Sequence, residues 1–314
     1  MSMSVRRWIR CVMWALAAVV ATAATVSTAD AQRIWSQWAQ SPQPPASTKV
    51  LESCPGLVAQ HRWQVTPASF RVRPPRDAVR AFGQQLAALA RDEVRLTFVG
   101  HATFLIESPG GVRIATDYND YVRPRVVPDI ATMNHAHSTH YTLSPDPAIK
   151  YVLRGWAEDE KPARIDINVG DVHVRNVPTN IRRWGGDTTE RQNTERHGNS
   201  IFIFEIGSLC VAHLGHLHHT LTPQQLAEIG RIDVVLVPVD GSYTLDMDGM
   251  IEVLQGLKAP LMIPMHFFSG YTLDNFLARL ASLKWAVERA ELPTVVVSRA
   301  TLPPSPKILV LPGR

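Results

Sequence analysis

The stretch Asp129-Ile130-Ala131-Thr132-Met133-Asn134-His135-Ala136-His137-Ser138-Thr139-His140 runs a short apolar segment into three imidazoles within six residues. An extended chain projects residues i and i+2 to the same side. His135 and His137 can therefore aim two nitrogens at one point just past a strand end, with His140 returning from the following turn. Neutral imidazole is a common ligand of zinc and related metals, at about 2.0–2.1 Å. A loop of solvated histidines would share this composition, but histidine-rich stretches downstream look like the rest of a site.

Upstream of this stretch the pattern is strand-like. Leu96–Val99 leads through Gly100-His101-Ala102 into Thr103–Ile106, and Pro109-Gly110-Gly111 turns the chain into Val112–Asp117. Downstream, Ile149–Leu153 and Val172–Val177 read as strands, and the polar segment from Arg182 to His197 reads as a long loop. A second hairpin, Ser200–Glu205 with Leu209–His213, delivers Gly215-His216-Leu217-His218-His219. Thr222 and Pro223 then open a helix as N-cap and first helical residue. The last third alternates: a strand over Asp233–Pro238, a helix over Asp248–Leu257, a strand over Leu261–Met265 ending at His266, a helix over Leu273–Leu280, and a closing strand at Thr294–Val297. Hairpins followed by β–α alternation predict a mixed-sheet sandwich with outer helices.

The chain has 314 residues, 45% hydrophobic and 19% charged, with a formal net charge of +4. That is ordinary globular composition. No dense basic stripe with interleaved aromatics suggests a nucleic-acid partner. Residues 1–31 read as a signal peptide: Arg6, Arg7 and Arg10 precede an apolar run from Cys11, and Ala29-Asp30-Ala31 supplies small residues before a cut at Gln32. The competing reading is an uncleaved N-terminal anchor. Export to the periplasm or medium is the expectation, with no stable membrane span after processing. Cleavage leaves Cys54 and Cys210, either as one disulfide or with Cys210 as a buried thiol. Residues 32–92, rich in proline and with a helix-like run through Val79, Phe82, Leu86 and Leu89, read as an extension packing on a main domain over 93–314.

From about Arg95 to the last strand, the chain resembles the metallo-β-lactamase-fold hydrolases, an α/β fold built as an αββα sandwich with its metal centre on loops at one edge of the sheets. The features that carry the resemblance are Gly100-His101-Ala102, Ile114-Ala115-Thr116-Asp117, His213-Leu214-Gly215 and Ile263-Pro264-Met265-His266. They are similar to the branch of ascorbate-6-phosphate lactonase and N-acyl phosphatidylethanolamine phospholipase D. The family's His-x-His-x-Asp-His motif is matched by His135, His137 and His140, with Thr139 at the aspartate position. The bridging aspartate position falls on His216 and the final histidine on His266. The histidine the family carries after a Val-Pro strand is absent from Val177-Pro178-Thr179-Asn180.

The resemblance implies a divalent metal, zinc first with manganese or iron as alternatives, as one ion or as two with a rearranged ligand set. The expected ligands are His135, His137, His140, His216 and His266. His197, His218, His219 and Asp240 are candidates to replace the lost carboxylates. His101 is placed in the pocket, and Asp117 behind a metal-binding histidine. Asp240, if not a ligand, would accept a proton from the attacking water. The implied function is an exported metal-dependent hydrolase of a small-molecule or lipid-like ester, lactone or phosphodiester. The alternative is a non-hydrolytic exported metal-binding protein on the same fold.

Overall fold

A computed structural model describes residues 88–313, apart from 136, 157–160 and 183–193. The predicted signal peptide and the predicted extension, up to residue 87, lie outside the described residues.

Two sheets face each other. The first has strand order β13-β1-β2-β3-β4-β5, formed by β1 (Val94–Gly100), β2 (Thr103–Glu107), β3 (Arg113–Ala115), β4 (Ile130–Met133), β5 (Tyr151–Arg154) and β13 (Thr294–Val297). The second has order β12-β14-β11-β10-β9-β8-β7-β6. Its strands are β6 (Asp166–Val169), β7 (Val172–Arg182), β8 (Thr194–Ile206), β9 (Leu209–His213), β10 (Val234–Pro238), β11 (Leu261–Met265), β12 (Ala286–Arg289) and β14 (Lys307–Val310). The described α-helices are α1 (Pro223–Ile229), α2 (Met247–Leu257) and α3 (Gly270–Arg279).

The apolar runs explain the layering. Strands buried on both faces need apolar residues at every position, and the period of two then divides them between two cores. In β8, Phe202, Phe204 and Ile206 point between the sheets, whereas Ile201 and Ile203 face the helices. In β10 the same split sends Val234 and Leu236 inward and Val235 and Val237 outward. The outer core is completed by Met250, Val253 and Leu254 of α2 and by Leu273 and Phe276 of α3. Thus the described helices cover the eight-stranded sheet. On the six-stranded sheet's other side, Tyr118, Met133 and Ile149 form a small cluster with Tyr141 and Trp156.

Several expectations are corrected. The segment from Arg182 to His197 is not a loop throughout: β7 runs to Arg182 and β8 begins at Thr194. The last strand is Lys307–Val310, not Thr294–Val297, which returns antiparallel beside β1. Cys210 is disulfide-bonded, which removes the free-thiol alternative; its partner lies outside the described residues. No described helix is long and apolar enough to cross a membrane.

The parallel pairings position the site. Strands β9, β10 and β11 run parallel, as do β3 and β4. Their carboxyl ends carry the segments that follow: Asp117 after β3, His135 after β4, His216 after β9, Asp240 after β10 and His266 after β11. Open parallel sheets present their binding residues at such ends.

Candidate metal centre

His140, His266, His135 and His137 are each held by a partner on Nδ1. His140 Nδ1 donates to Asp117 Oδ2 at 2.6 Å, and His266 Nδ1 donates to Asp240 Oδ1 at 3.0 Å. His135 Nδ1 donates to the Gly198 carbonyl at 2.6 Å. In the neutral tautomer this arrangement leaves Nε2 without a proton. The three Nε2 atoms are available as donors of electron pairs. His137 has Nδ1 3.1 Å from the Thr139 hydroxyl, so the residue at the lost aspartate position is paired with a histidine.

The supporting carboxylates are themselves fixed. Asp117 is wholly buried; its Oδ1 accepts from the Asn134 backbone N–H, and its carbonyl accepts from Thr103 and Asn119. Burial pushes its carboxyl up to about 6, against the pull of His213 and the Asn134 N–H. Burial likewise pushes His140 well below the usual imidazole range, which keeps that ring neutral.

Asp240 was expected to be a ligand or the acceptor of a proton. Its Oδ2 accepts from the backbone N–H groups of Ser242, Tyr243 and Thr244, and its Oδ1 accepts from the Thr244 hydroxyl and His266. Burial opposes ionisation, but this cage of donors outweighs it and holds the carboxyl well below the usual range. With both oxygens engaged, Asp240 orients His266 and offers no free lone pair to a water.

The inward nitrogens converge. His140 Nε2 lies 3.3 Å from His266 Nε2 and 2.9 Å from His216 Nδ1. The nitrogens of His101, His140 and His266 all lie within 4.8 Å of one another. With Nδ1–H of His140 and His266 each directed at a carboxylate, their Nε2 atoms and His216 Nδ1 are turned towards one another, an arrangement a cation among them would satisfy. Two nitrogens about 2.05 Å from zinc at the tetrahedral angle stand about 3.3 Å apart. The residues present therefore fit a metal with nitrogen donors.

His101 belongs to the same group. Its Nε2 is buried without a hydrogen-bond partner, and its ring centroid is 4.2 Å from that of His266. His101, Asp117 and His266 all have left-handed backbone conformations, with φ of 51°, 42° and 54°. Non-glycine residues adopt that region at a cost and concentrate at functional sites when they do.

Above the imidazoles is a cavity of about 910 Å³ lined by His101, His135, His137, His216, His218 and His266 together with Thr139, Ile181, Arg182, Ser242, Tyr243 and Phe268. Tyr243 and Phe268 stand 58% and 59% exposed at its rim, edge to face with ring centroids 5.4 Å apart. His218 reaches the wall, where its Nδ1 accepts from the Arg182 backbone N–H and burial lowers it to about 4. His197 and His219 are not brought to the cluster; they line a separate cavity of about 380 Å³ with Arg164 and Gln225.

Sequence reasoning missed the rim aromatics and two asparagines. Asn134 binds Asp117 through its N–H and the Ser200 carbonyl through its amide, and Asn199 Oδ1 accepts from the His216 backbone N–H. The only signal for Asn134 was its place directly before His135.

A family model described as Beta-lactamase superfamily domain matches residues 95–266. A UPF0173 metal-dependent hydrolase of Thermoplasma volcanium is 26% identical over 190 residues, covering 56% of this chain and 84% of that protein. One from Methanoculleus marisnigri is 26% identical over 236 residues, covering 70% of this chain and 99% of its own length. Among solved structures, a Thermotoga maritima protein of the metallo-beta-lactamase superfamily has a TM-score of 0.51. It is 30% identical, and the match covers 70% of this chain and 100% of that one.

Proposed function

Since this chain belongs to the metallo-beta-lactamase superfamily, we propose that it is a metal-dependent hydrolase working at the imidazole cluster. The reading is carried by one observation: the Nε2 atoms of His140 and His266 face each other 3.3 Å apart below an open cavity. The donors would be drawn from His101, His135, His137, His140, His216 and His266. An all-nitrogen set suits zinc and other late first-row ions better than magnesium or calcium. A cation bound there supplies Lewis acidity and an acidified water.

The chain's own residues do the rest. Asp117 and Asp240 hold two imidazoles in one tautomer and one direction. Ile181, Tyr243 and Phe268 give the cavity an apolar wall, which favours an ester or lactone with an apolar acyl or aryl group over a phosphodiester. The N-terminal pattern at Arg6, Arg7 and Arg10 before an apolar run supports action outside the cytoplasm.

The test is hydrolysis by chelator-stripped protein reconstituted with zinc, manganese or iron. The substrates would be p-nitrophenyl acyl esters, an aliphatic lactone and bis-p-nitrophenyl phosphate. Metal-dependent turnover of the esters or the lactone is the expected result. Tight metal binding with no turnover of any substrate would favour the non-hydrolytic alternative, and failure to bind metal would remove the reading.

A further inference from the structure

The imidazole cluster has an inner and an outer half. We propose that the resident cation is held in the inner half by His101, His140, His216 and His266, with His101 taking the place of a lost carboxylate, and that the His135–His137 pair lies outside this ligand set. The proposal rests on the metal-dependent reading above and narrows it.

Four observations carry it. The short nitrogen–nitrogen distances are all on the inner side: 2.9 Å from His140 to His216 and 3.3 Å from His140 to His266, with His101 joining His140 and His266 within 4.8 Å. The inner histidines also have the stronger supports. His140 and His266 are backed by buried carboxylates, the arrangement that raises a ligand's basicity. His135 is backed by a carbonyl and His137 by a hydroxyl, and His137 is exposed.

Third, His101 is built inward. Its backbone carbonyl accepts from the His266 N–H at 2.7 Å, its backbone is held left-handed, and its Nε2 is buried with no partner. A buried unpaired nitrogen costs free energy unless something meets it. Fourth, the outer pair lacks the family's further histidine: the His216 ring stands 5.4 and 5.9 Å from the His135 and His137 rings, but its Nδ1 is directed at His140, 2.9 Å away. Where the family carries another histidine, Thr179 accepts from the Asn199 amide and Asn180 accepts from the His197 N–H. The His135 and His137 rings lie parallel, 6.3 Å apart. They face the cavity and remain available to substrate or to a moving proton.

The experiment measures Zn(II) affinity by competition with a chromophoric chelator, on wild type, His101→Asn and the double variant His135→Gln/His137→Gln. Asparagine is chosen at position 101 because it tolerates the left-handed region. The expected result is a loss of affinity of roughly tenfold or more for His101→Asn, with the double variant still binding one zinc close to wild-type affinity. Loss of zinc by the double variant, or unchanged affinity in His101→Asn, would overturn the assignment while leaving the hydrolase reading intact. A wild type that binds no zinc, manganese or iron would overturn both. Histidine-labelled NMR of the cadmium-loaded wild type gives a check that needs no variant. Metal–nitrogen couplings to His101 support the proposal, and couplings to His135 and His137 in their place refute it.

Discussion

At Asp240 a single carboxylate accepts from three backbone N–H groups, the Thr244 hydroxyl and His266. Replacement by asparagine puts an NH2 group against one of these donor sets whichever way the amide turns. Leaving buried donors unpaired costs about 1–3 kcal/mol each, so Asp240→Asn is expected to lower stability by roughly 3 kcal/mol in urea unfolding. It should also weaken metal binding by about 10–100-fold through the loosened His266 ring. Gly215 presents a second residue-scale constraint. Its φ is 61°, and a Cβ there would lie 2.3 Å from the Asn134 amide nitrogen, which is tied to the Ser200 carbonyl. Gly215→Ala must strain the backbone and displace Asn134, which holds Asp117. A loss of about 2–4 kcal/mol is expected, and unchanged stability in denaturant titration would refute this account of the glycine.

Among elements, the β6–β7–β8 ladder carries a pH-dependent link. His173 on β7 reaches Asp166 on β6 through Nε2 at 2.6 Å and Glu205 on β8 through Nδ1 at 3.2 Å. Both nitrogens face carboxylates, so the ladder favours the doubly protonated ring. The hydrogen bond to Glu205, against the effect of burial and with help from Asp166, raises its pKa. A raised folded-state value means the stabilisation is complete below the unfolded value of about 6.5 and disappears as pH climbs through the folded value. The buried site histidines have the opposite sign, because their lowered values favour folding at higher pH. The prediction is therefore differential: the Tm gap between wild type and His173→Gln is largest near pH 6 and closes towards pH 8.5. A gap independent of pH would refute it. The same ladder shows what the sequence did and did not reveal. Strands with unbroken or alternating apolar runs, such as β1, β9, β10 and β11, were legible, as was the Thr222 cap of α1, which forms a capping box with Gln225. Pro178 halted the reading of β7, yet the strand passes through it and pairs it with Ser200. Strand β12 (Ala286–Arg289) is exposed at every position and so has no apolar pattern to read. At the site, spacing brought out His135, His137 and His140, and the family resemblance pointed to His216 and His266; the structure gathers these rings. Histidine density misled at His197 and His219, because neighbours in sequence left the turn after β9 for a different cavity.

On the scale of the molecule, the candidate site draws its residues from both sheets. His101 and His140 come from segments of the six-stranded sheet, and His216 and His266 follow strands of the eight-stranded sheet. The ring nitrogens of His140, His216 and His266 crowd together at this seam, and a cation among them would join the sheets. A ligand that binds only the folded chain stabilises it by RT ln(1 + [L]/Kd), about 2.7 kcal/mol at a hundredfold excess over Kd. Stripping the metal with a chelator is therefore expected to lower the Tm by several degrees, and adding zinc back should restore it. Hydrogen exchange gives this its spatial form: the loss of protection should concentrate at the carboxyl ends of β4, β9 and β11 and spare β6 and β12, the two edge strands of the eight-stranded sheet. A uniform loss would mean that the cation acts on global stability without bridging the sheets. No loss at all would mean that the ring nitrogens are met in some other way, and the link between the centre and the fold would have to be abandoned.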